Sequence, residues 1–388
     1  MFNGESNKLA VVVIAYNRLT SIQRLIKSLV SADYLGEKVD LFISIDNSGN
    51  SVVADYANQI EWAHGELKII VHQVRLGLKA HVLSCGSLVR DYDAVCVFED
   101  DLYASPGYYT FAKQALLHFK ELNGVAGISL YAHSWNPYVN RPFIPVNDGY
   151  DVFFLQVASS WGQIWSRASW SKFVKWMESR VDDDLHSDCL PKEVSNWSAK
   201  SWLKYHNKYL VDTNQFFVYP RESLSTNFSD TGEHAIENTV YQVPILTRPV
   251  ASYRFPSTLE DGVQYDAFFE NRSYANTLGL REDQLDVNFY GNREKKKRYL
   301  LTIERLGYKV VTSFGMKLRP IDLNVLLSIE GEGIYLYDTT VFESNRMRRF
   351  SKIAKLLYDM RISSKKDLLL AVGYLYLMSL LKKFGVKS

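Results

Sequence analysis

Cys96-Val97-Phe98-Glu99-Asp100-Asp101-Leu102 places three consecutive carboxylates directly after an apolar run, Ala94 to Phe98, of the kind that forms a buried strand. Upstream, three further apolar runs rich in β-branched residues, LAVVVIAY (9–16), DLFISID (40–46) and KIIVHQV (68–74), alternate with segments of helical period. That is the βαβα pattern of a mostly parallel sheet covered by helices. It sets the carboxylates at the C-terminal end of a strand, where open α/β sheets place their ligands. Thr20-Ser21-Ile22-Gln23 reads as a capping box opening a helix whose inner face is Ile22, Leu25, Ile26, Leu29 and Val30. Ser105-Pro106 reads as the cap of a helix carrying Phe111, Ala115 and Leu116.

Further on, VAGISLY and VFFLQVA read as strands separated by the loop NPYVNRPFIPVNDG. Helical patterns follow around 168–180 and 198–210, with an acidic loop between them and a polar stretch, Asn227 to Asn238, after them. From 255 to 340 the pattern is mixed, with KVVTSF and GIYLYD as strands, and no internal repeat occurs. The expected division is a catalytic domain over 1–250 (nucleotide side 9–125, acceptor side 126–250), an accessory α/β extension over 251–344 and a tail over 345–388.

At 388 residues the chain can bury a large core, and its 47% hydrophobic and 23% charged residues are those of an ordinary globular protein. Cys85, Cys96 and Cys189, odd in number and widely spaced, give neither a disulfide framework nor a zinc pattern, which favours a reducing compartment. The start has no basic region before its short apolar run, so neither a signal peptide nor a membrane span is expected, and cytoplasmic residence follows. The net charge of +2 hides an asymmetry: residues 345–388 hold eleven Lys or Arg against Asp359 and Asp367, so the rest is net acidic. The tail also contains the apolar run Leu368 to Leu381, too short to span a bilayer. As a basic amphipathic helix it would lie on an anionic membrane surface, pack on the catalytic domain or form a homodimer contact. No nucleic-acid-binding motif accompanies the charge.

Adjacent carboxylates repel, so packing them at a strand end calls for a compensating cation or hydrogen-bond donors. A hard divalent ion, Mn2+ or Mg2+, bound through one or two carboxylates and phosphate oxygens is one such arrangement, and a solvated acidic turn is the plain alternative. VVVIAYNR, FISIDNS and VFEDDLYASPGYYTF, in that order and spacing, resemble the nucleotide-sugar-binding half of GT-A glycosyltransferases. The similarity is to the N-acetylglucosaminyltransferase I type and to family-2-like bacterial enzymes of surface-polysaccharide assembly. SSWGQIWSRASW, SNWSAKSW and YPRESLSTNFSDTGEHA resemble later motifs of the bacterial group, so the likeness runs over about 9–235.

The resemblance implies an α/β GT-A fold, a Rossmann-like mixed sheet covered by helices, and a role for each matching residue. Ala15, Tyr16 and Arg18 would border the base and phosphates, and Asp46 would accept a hydrogen bond from the base. Glu99 would face the donor sugar, Asp100 the ribose, and Asp101 would bind the metal, with His234 as second ligand. Arg75 and Lys79 would be cations near the diphosphate, and Trp161 and Gly162 would border the donor or acceptor sugar. Trp165, Trp170 and Trp176 read as core or helix-face residues.

An inverting transferase needs a base for the acceptor hydroxyl, usually a carboxylate. Where related enzymes have Asp before a motif Trp, this chain has Ser195, which cannot serve. Glu193, or Asp182, Asp183, Asp184 or Asp188 in the acidic loop, would replace it, unless the enzyme is retaining or impaired. The function implied is hexosyl or N-acetylhexosaminyl transfer from a UDP sugar to a polysaccharide (capsule or O-antigen) or to a polyprenyl-linked glycan, at the inner face of the cytoplasmic membrane. The rivals are a sugar-phosphate nucleotidyltransferase, disfavoured because VVVIAYNR lacks a Gly-rich loop, and a sugar-nucleotide-binding scaffold.

Overall fold

The computed structural model describes residues 8–180, 189–230, 241–344 and 351–360, and residues 366, 368–370, 372–374, 376 and 377 of the tail. The first half alternates as expected: β1 (Leu9–Ala15), α1 (Leu19–Val30), β2 (Leu41–Ile45), α2 (Val52–Ala57), β3 (Leu67–Val71), α3 (Leu78–Gly86) and β4 (Ala94–Glu99). A short β5 (Leu102–Ala104) leads into α4 (Tyr108–Phe119), followed by β6 (Val125–Ser129), a small hairpin of β7 (Trp135–Asn136) and β8 (Arg141–Pro142), then β9 (Val152–Leu155) and β10 (Gln163–Ser166). The helices α5 (Arg167–Glu178), α6 (Lys192–Ser195) and α7 (Trp202–Asp212) precede β11 (Phe216–Pro220) and β12 (Ser225–Asn227).

Nine strands form one mixed sheet in the order β13-β9-β11-β6-β10-β4-β1-β2-β3, where β13 is Gln264–Tyr265. β1 is buried at every position because the sheet is covered on both faces. Leu9, Val11, Val13 and Ala15 enter one core with α1 and α4, while Ala10, Val12 and Ile14 enter the other with α3, α5 and α7. From α1, Ile22, Leu25, Ile26 and Leu29 fill the first core, each contributing about 1.5–3 kcal/mol of burial. Val30, expected on that face, is 41% exposed.

β1 runs parallel to β2 on one side and to β4 on the other. The chain therefore reverses its direction of travel across the sheet at the β1/β4 boundary, which is the topological switch point where such sheets open a crevice beyond their strand ends. β10 is antiparallel to β4, so the residues preceding it, Trp161 and Gly162, come to the same sheet edge as the end of β4.

Two cap assignments from the sequence need correction. The first helix begins at Leu19 with Arg18 at its N-cap, so Thr20 lies inside it and forms no capping box. The second begins at Tyr108 after Gly107; the Ser105 hydroxyl accepts from the Gly107 N–H (3.2 Å) and donates to the Leu246 carbonyl, serving the preceding turn.

The extension is a separate four-stranded sheet, β14-β15-β17-β16, of β14 (Leu285–Asn288), β15 (Tyr299–Thr302), β16 (Tyr308–Gly315) and β17 (Gly333–Phe342), with α8 (Tyr274–Thr277) and α9 (Asp322–Leu326). Its core is built from residues such as Leu285, Leu301, Val325 and Leu336. The packing changes later than the expected boundary at 250, because β13 pairs with β9, and Ala267 and Phe269 pack in the second core of the large domain. α10 (Ser351–Met360) docks on the extension: Lys355 is buried and paired with Asp359 at 2.7 Å, and the Tyr358 hydroxyl donates to the Leu318 carbonyl.

Glu270 joins the two units. Its carboxylate accepts from the Phe289 N–H (2.6 Å) and the Tyr290 N–H (3.3 Å), and burial, then the nearby Asp266 charge, push its pKa up to about 8. Between its unfolded value near 4.5 and about 8, the folded chain holds a proton that the unfolded chain has released, so stability falls as pH rises through that window. Glu270→Gln keeps the acceptor oxygen and should remove that decline, on the order of 3 kcal/mol by pH 8. Chemical denaturation at pH 5 and pH 8 checks it; an unchanged slope would contradict the assignment.

Candidate active site

The loops after β1 and β4 meet at the switch point, where Arg18 ties them together. Its guanidinium pairs with Asp100 and with Asp101 (3.1 Å), two carboxylates with little exposure that follow β4 directly. Although burial works against its charge, Asp100 and Asp101 hold Arg18 more firmly protonated than usual. Burial pushes Asp100 up to about 6 despite Arg18. Glu99, half-buried, is pushed up to about 8, by desolvation first and then by the charges of Asp101 and Asp100. Glu99 and Asp100 are thus short of positive charge even with Arg18 in place.

Asp101 has one oxygen on Arg18, while its Oδ1 is buried without a hydrogen-bond partner. A buried, ionisable oxygen left without a partner costs about 1–3 kcal/mol or more, and such a group is where a cation is expected. Among the described residues no group of three or more His, Cys, Asp or Glu side chains is arranged to hold a metal ion. A Mg2+ or Mn2+ that arrives with a diphosphate needs only one or two protein carboxylates, the rest of its shell being phosphate and water oxygens. Asp101 fits that requirement. The expected second ligand, His234, lies outside the described residues, as do Asp182, Asp183, Asp184 and Asp188.

Asp46, directly after β2, has its carboxylate occupied by three backbone donors: Asn47 (2.9 Å) and Leu76 (2.7 Å) on one oxygen and Gly77 (2.9 Å) on the other. Burial disfavours its charge, but these N–H groups outweigh that and hold the carboxyl below its usual range. Its bonds therefore position the loop between β3 and α3. Gly77 sits at φ +75, a conformation that favours glycine, and so presents its N–H to Asp46. Arg75 in that loop lies over the Tyr16 ring at 5.1 Å, joining it to the loop after β1, while Ala15, the last residue of β1, is buried. Lys79 points the other way: its ammonium donates to the Ala199 carbonyl (3.3 Å) and lies 3.5 Å from the Tyr205 ring centroid.

Trp161, just before β10, is half-buried, with Tyr131 at 4.7 Å and Tyr241 at 5.0 Å between ring centroids. Gly162 follows at φ +86, and a Cβ there would lie 3.2 Å from both Leu130 Cβ and Ser225 Oγ, so the turn accepts only glycine without adjustment. Trp165 and Trp170 are buried and Trp176 packs at the core margin, as expected.

Asp230 was not legible as a site residue. It accepts from the Ser21 hydroxyl (2.6 Å) and pairs with Arg24, while Arg18 reaches its carbonyl at 3.4 Å. β12 pairs with β5, and the Phe228 N–H donates to the Asp101 carbonyl (3.0 Å), so residues 225–230 form a strap beside the carboxylate run. Its stretch, NFSD, stood out in the sequence by its polarity and by its place in the motif-like run 219–235.

Ser195 is buried, its hydroxyl without a partner, while Glu193 is exposed and lines a cavity, none of whose walls comes from residues 99–101.

Residues 18–185, less than half of the chain, match the family model described as the SPBC1E8.03c C-terminal domain. No curated protein matches the chain. Similar solved structures include S. aureus TarS 1–349 in complex with UDP-GlcNAc, at 15% identity and TM-score 0.38 over 58% of this chain and 60% of that one. Another is the mannosyltransferase PcManGT from Pyrobaculum calidifontis in complex with GDP-Man and Mn2+, at 14% identity and TM-score 0.31 over 44% of this chain and 46% of that one. The chain spans less than two thirds of the length of either.

Proposed function

We propose that the chain is a metal-dependent glycosyltransferase that moves a sugar from a nucleoside diphosphate, UDP in the first instance, to a hydroxyl of a glycan acceptor. The observation that carries this reading is the carboxylate run at the switch point, with Arg18 across Asp100 and Asp101 and with Asp101 Oδ1 left without a partner. A divalent ion bound there would supply charge neutralisation for the leaving diphosphate. Arg18, displaced from Asp101 by a cation, is placed to face the phosphates, and Arg75 with Tyr16 closes the base side. Asp46 holds the backbone of the β3–α3 loop as a preformed wall. In the transfer, the bond from the anomeric carbon to the diphosphate breaks, the acceptor oxygen bonds to that carbon, and the hydroxyl proton passes to a carboxylate. This carboxylate is Glu193 or one of the acidic-loop residues Asp182, Asp183, Asp184 and Asp188.

Release of UDP from UDP-glucose, UDP-galactose, UDP-GlcNAc and UDP-GalNAc tests the reading. Turnover of at least one donor, abolished by EDTA and restored by Mn2+, is expected. Binding of UDP without turnover would favour the scaffold reading, and absence of both would overturn the proposal.

The tail gives the acceptor a location in the same proposal. No helix among the described residues is long and apolar enough to cross a membrane. Beyond α10, Leu369, Leu370, Tyr374 and Tyr376 are 73%, 62%, 62% and 67% exposed, in a segment dense in Lys and Arg. Such a surface suits an anionic bilayer, at about 1 kcal/mol per surface-near cation plus burial of the Leu and Tyr side chains. Deleting residues 362–388, which leaves α10 in place, should release the protein from phosphatidylglycerol vesicles while UDP binding persists. Unchanged sedimentation with vesicles would remove the membrane from the account.

A further inference from the structure

The strap 225–230 meets the carboxylate run at two successive points. After β12 has paired with β5, the Phe228 N–H donates to the Asp101 carbonyl (3.0 Å). Two residues on, the Asp230 carbonyl accepts from Arg18 Nη1 at 3.4 Å, the same nitrogen that donates to Asp101 Oδ2 at 3.1 Å. The strap thus touches the main chain of Asp101 first and the cation on its side chain next. We propose that Asp230 is a positioning residue for the metal: clamped to α1, it keeps its carbonyl in reach of Arg18, as the acceptor to which the guanidinium shifts when a divalent ion takes Asp101. The inference rests on the glycosyltransferase reading above.

The clamp is built from side chains of α1. Ser21 donates to the Asp230 carboxylate (2.6 Å) and Arg24 pairs with it. The Arg24 guanidinium also lies 3.7 Å from the centroid of the Phe228 ring, so one residue of α1 holds the strap in two places. Burial disfavours the charge on Asp230, but the bonds from Arg24 and Ser21 outweigh it and hold the carboxyl below its usual range. Between the two contact points Ser229 stands at φ +54, a strained conformation for a residue with a Cβ, which persists only where the surroundings hold it. The Asn227 side chain accepts from the Ser229 N–H (2.5 Å) on one side, and the Asp230 clamp holds the other. Once the clamp is released, the strained backbone can relax and carry the Asp230 carbonyl away from Arg18.

The carbonyl matters because a divalent ion and a guanidinium are like charges competing for one carboxylate. As the ion binds Asp101, Arg18 Nη1 has to give up Asp101 Oδ2, and a poorly solvated N–H that finds no new acceptor makes the exchange costly. The Asp230 carbonyl already lies beside that nitrogen, and Asp100 holds the other arm of the guanidinium. Asp230 therefore favours metal binding without touching the metal, and its effect passes through Arg18.

Electron paramagnetic resonance of free Mn2+, in titrations of the full chain with UDP, reads the Mn2+ Kd directly. Asp230→Ala should raise that Kd at least fivefold. Arg24→Met, which opens the clamp from the α1 side and leaves Asp230 in place, should do the same. In an Arg18→Met background, Asp230→Ala should change the Mn2+ Kd less than twofold, because no guanidinium is left to receive. A residue that merely supported the fold would weaken Mn2+ binding equally in both backgrounds, and that result would overturn the inference. An unchanged Kd in both Asp230→Ala and Arg24→Met would overturn it as well. Either result, with Mn2+ still bound by the wild type, leaves the metal-dependent reading standing; a wild-type chain that takes up no Mn2+ with UDP would overturn both.

Discussion

Asp101→Asn should lower metal-dependent sugar transfer at least 100-fold while leaving the protein folded. The substitution keeps the size of the side chain and a carbonyl oxygen that can still accept from Arg18, but removes the charge that a divalent ion needs. A 100-fold loss corresponds to about 2.7 kcal/mol of transition-state stabilisation, within reach of a single ligand to a metal that neutralises a leaving diphosphate. The fold should tolerate the change, since one unpartnered buried oxygen is exchanged for a neutral amide and the repulsion on Glu99 and Asp100 falls. Donor turnover at several Mn2+ concentrations, with melting temperature as a control, is the measurement. Wild-type turnover in a folded Asp101→Asn variant would show that the metal is held elsewhere.

Arg18→Met should have the second largest effect, and its sign depends on whether a divalent ion is present. Without one, removing the guanidinium leaves Asp100 and Asp101 facing Glu99 with no compensating charge. Breaking a fully buried ion pair costs about 3–5 kcal/mol, and because the Arg18 side chain is 24% exposed, about 2 kcal/mol is the better expectation. Adding Mn2+ should then stabilise the variant more than the wild type, because no guanidinium has to be displaced from Asp101. Thermal unfolding with and without Mn2+ reads both. Equal stabilisation of the two proteins by Mn2+ would contradict the placement of the cation beside Asp101.

What could be read from the sequence was what is encoded locally. LAVVVIA, LFISI and AVCVFE announce buried strands because neighbouring residues carry the whole pattern, and the strand-end position of Glu99, Asp100 and Asp101 follows from the same runs. The helix caps misled for the opposite reason. Thr20 and Gln23 have the spacing of a capping box, but Arg18, engaged with carboxylates 82 and 83 residues away, sets where the helix begins. Contacts at such separations leave no periodicity behind. Asp230 meets Ser21 across 209 residues, and the cavity beside Glu193 is assembled from segments near 138, 193, 290 and 355. β13 is two residues long, too short to show an alternation, so its pairing with β9 leaves no mark in the sequence. Asp46 was legible as a residue at a strand end, but its work on the Leu76 and Gly77 backbone was visible only once the loop after β3 was in place.

The central claim is that a nucleotide diphosphate and a divalent ion meet at the ends of β1 and β4. Crystals soaked with UDP and Mn2+ and measured for anomalous scattering from manganese test it most directly. The account predicts one manganese peak at coordination distance, about 2 Å, from Asp101 Oδ1, with the diphosphate bridging it and Arg18 turned toward the phosphates. Manganese bound away from Asp101, or UDP bound away from the switch point, would contradict it.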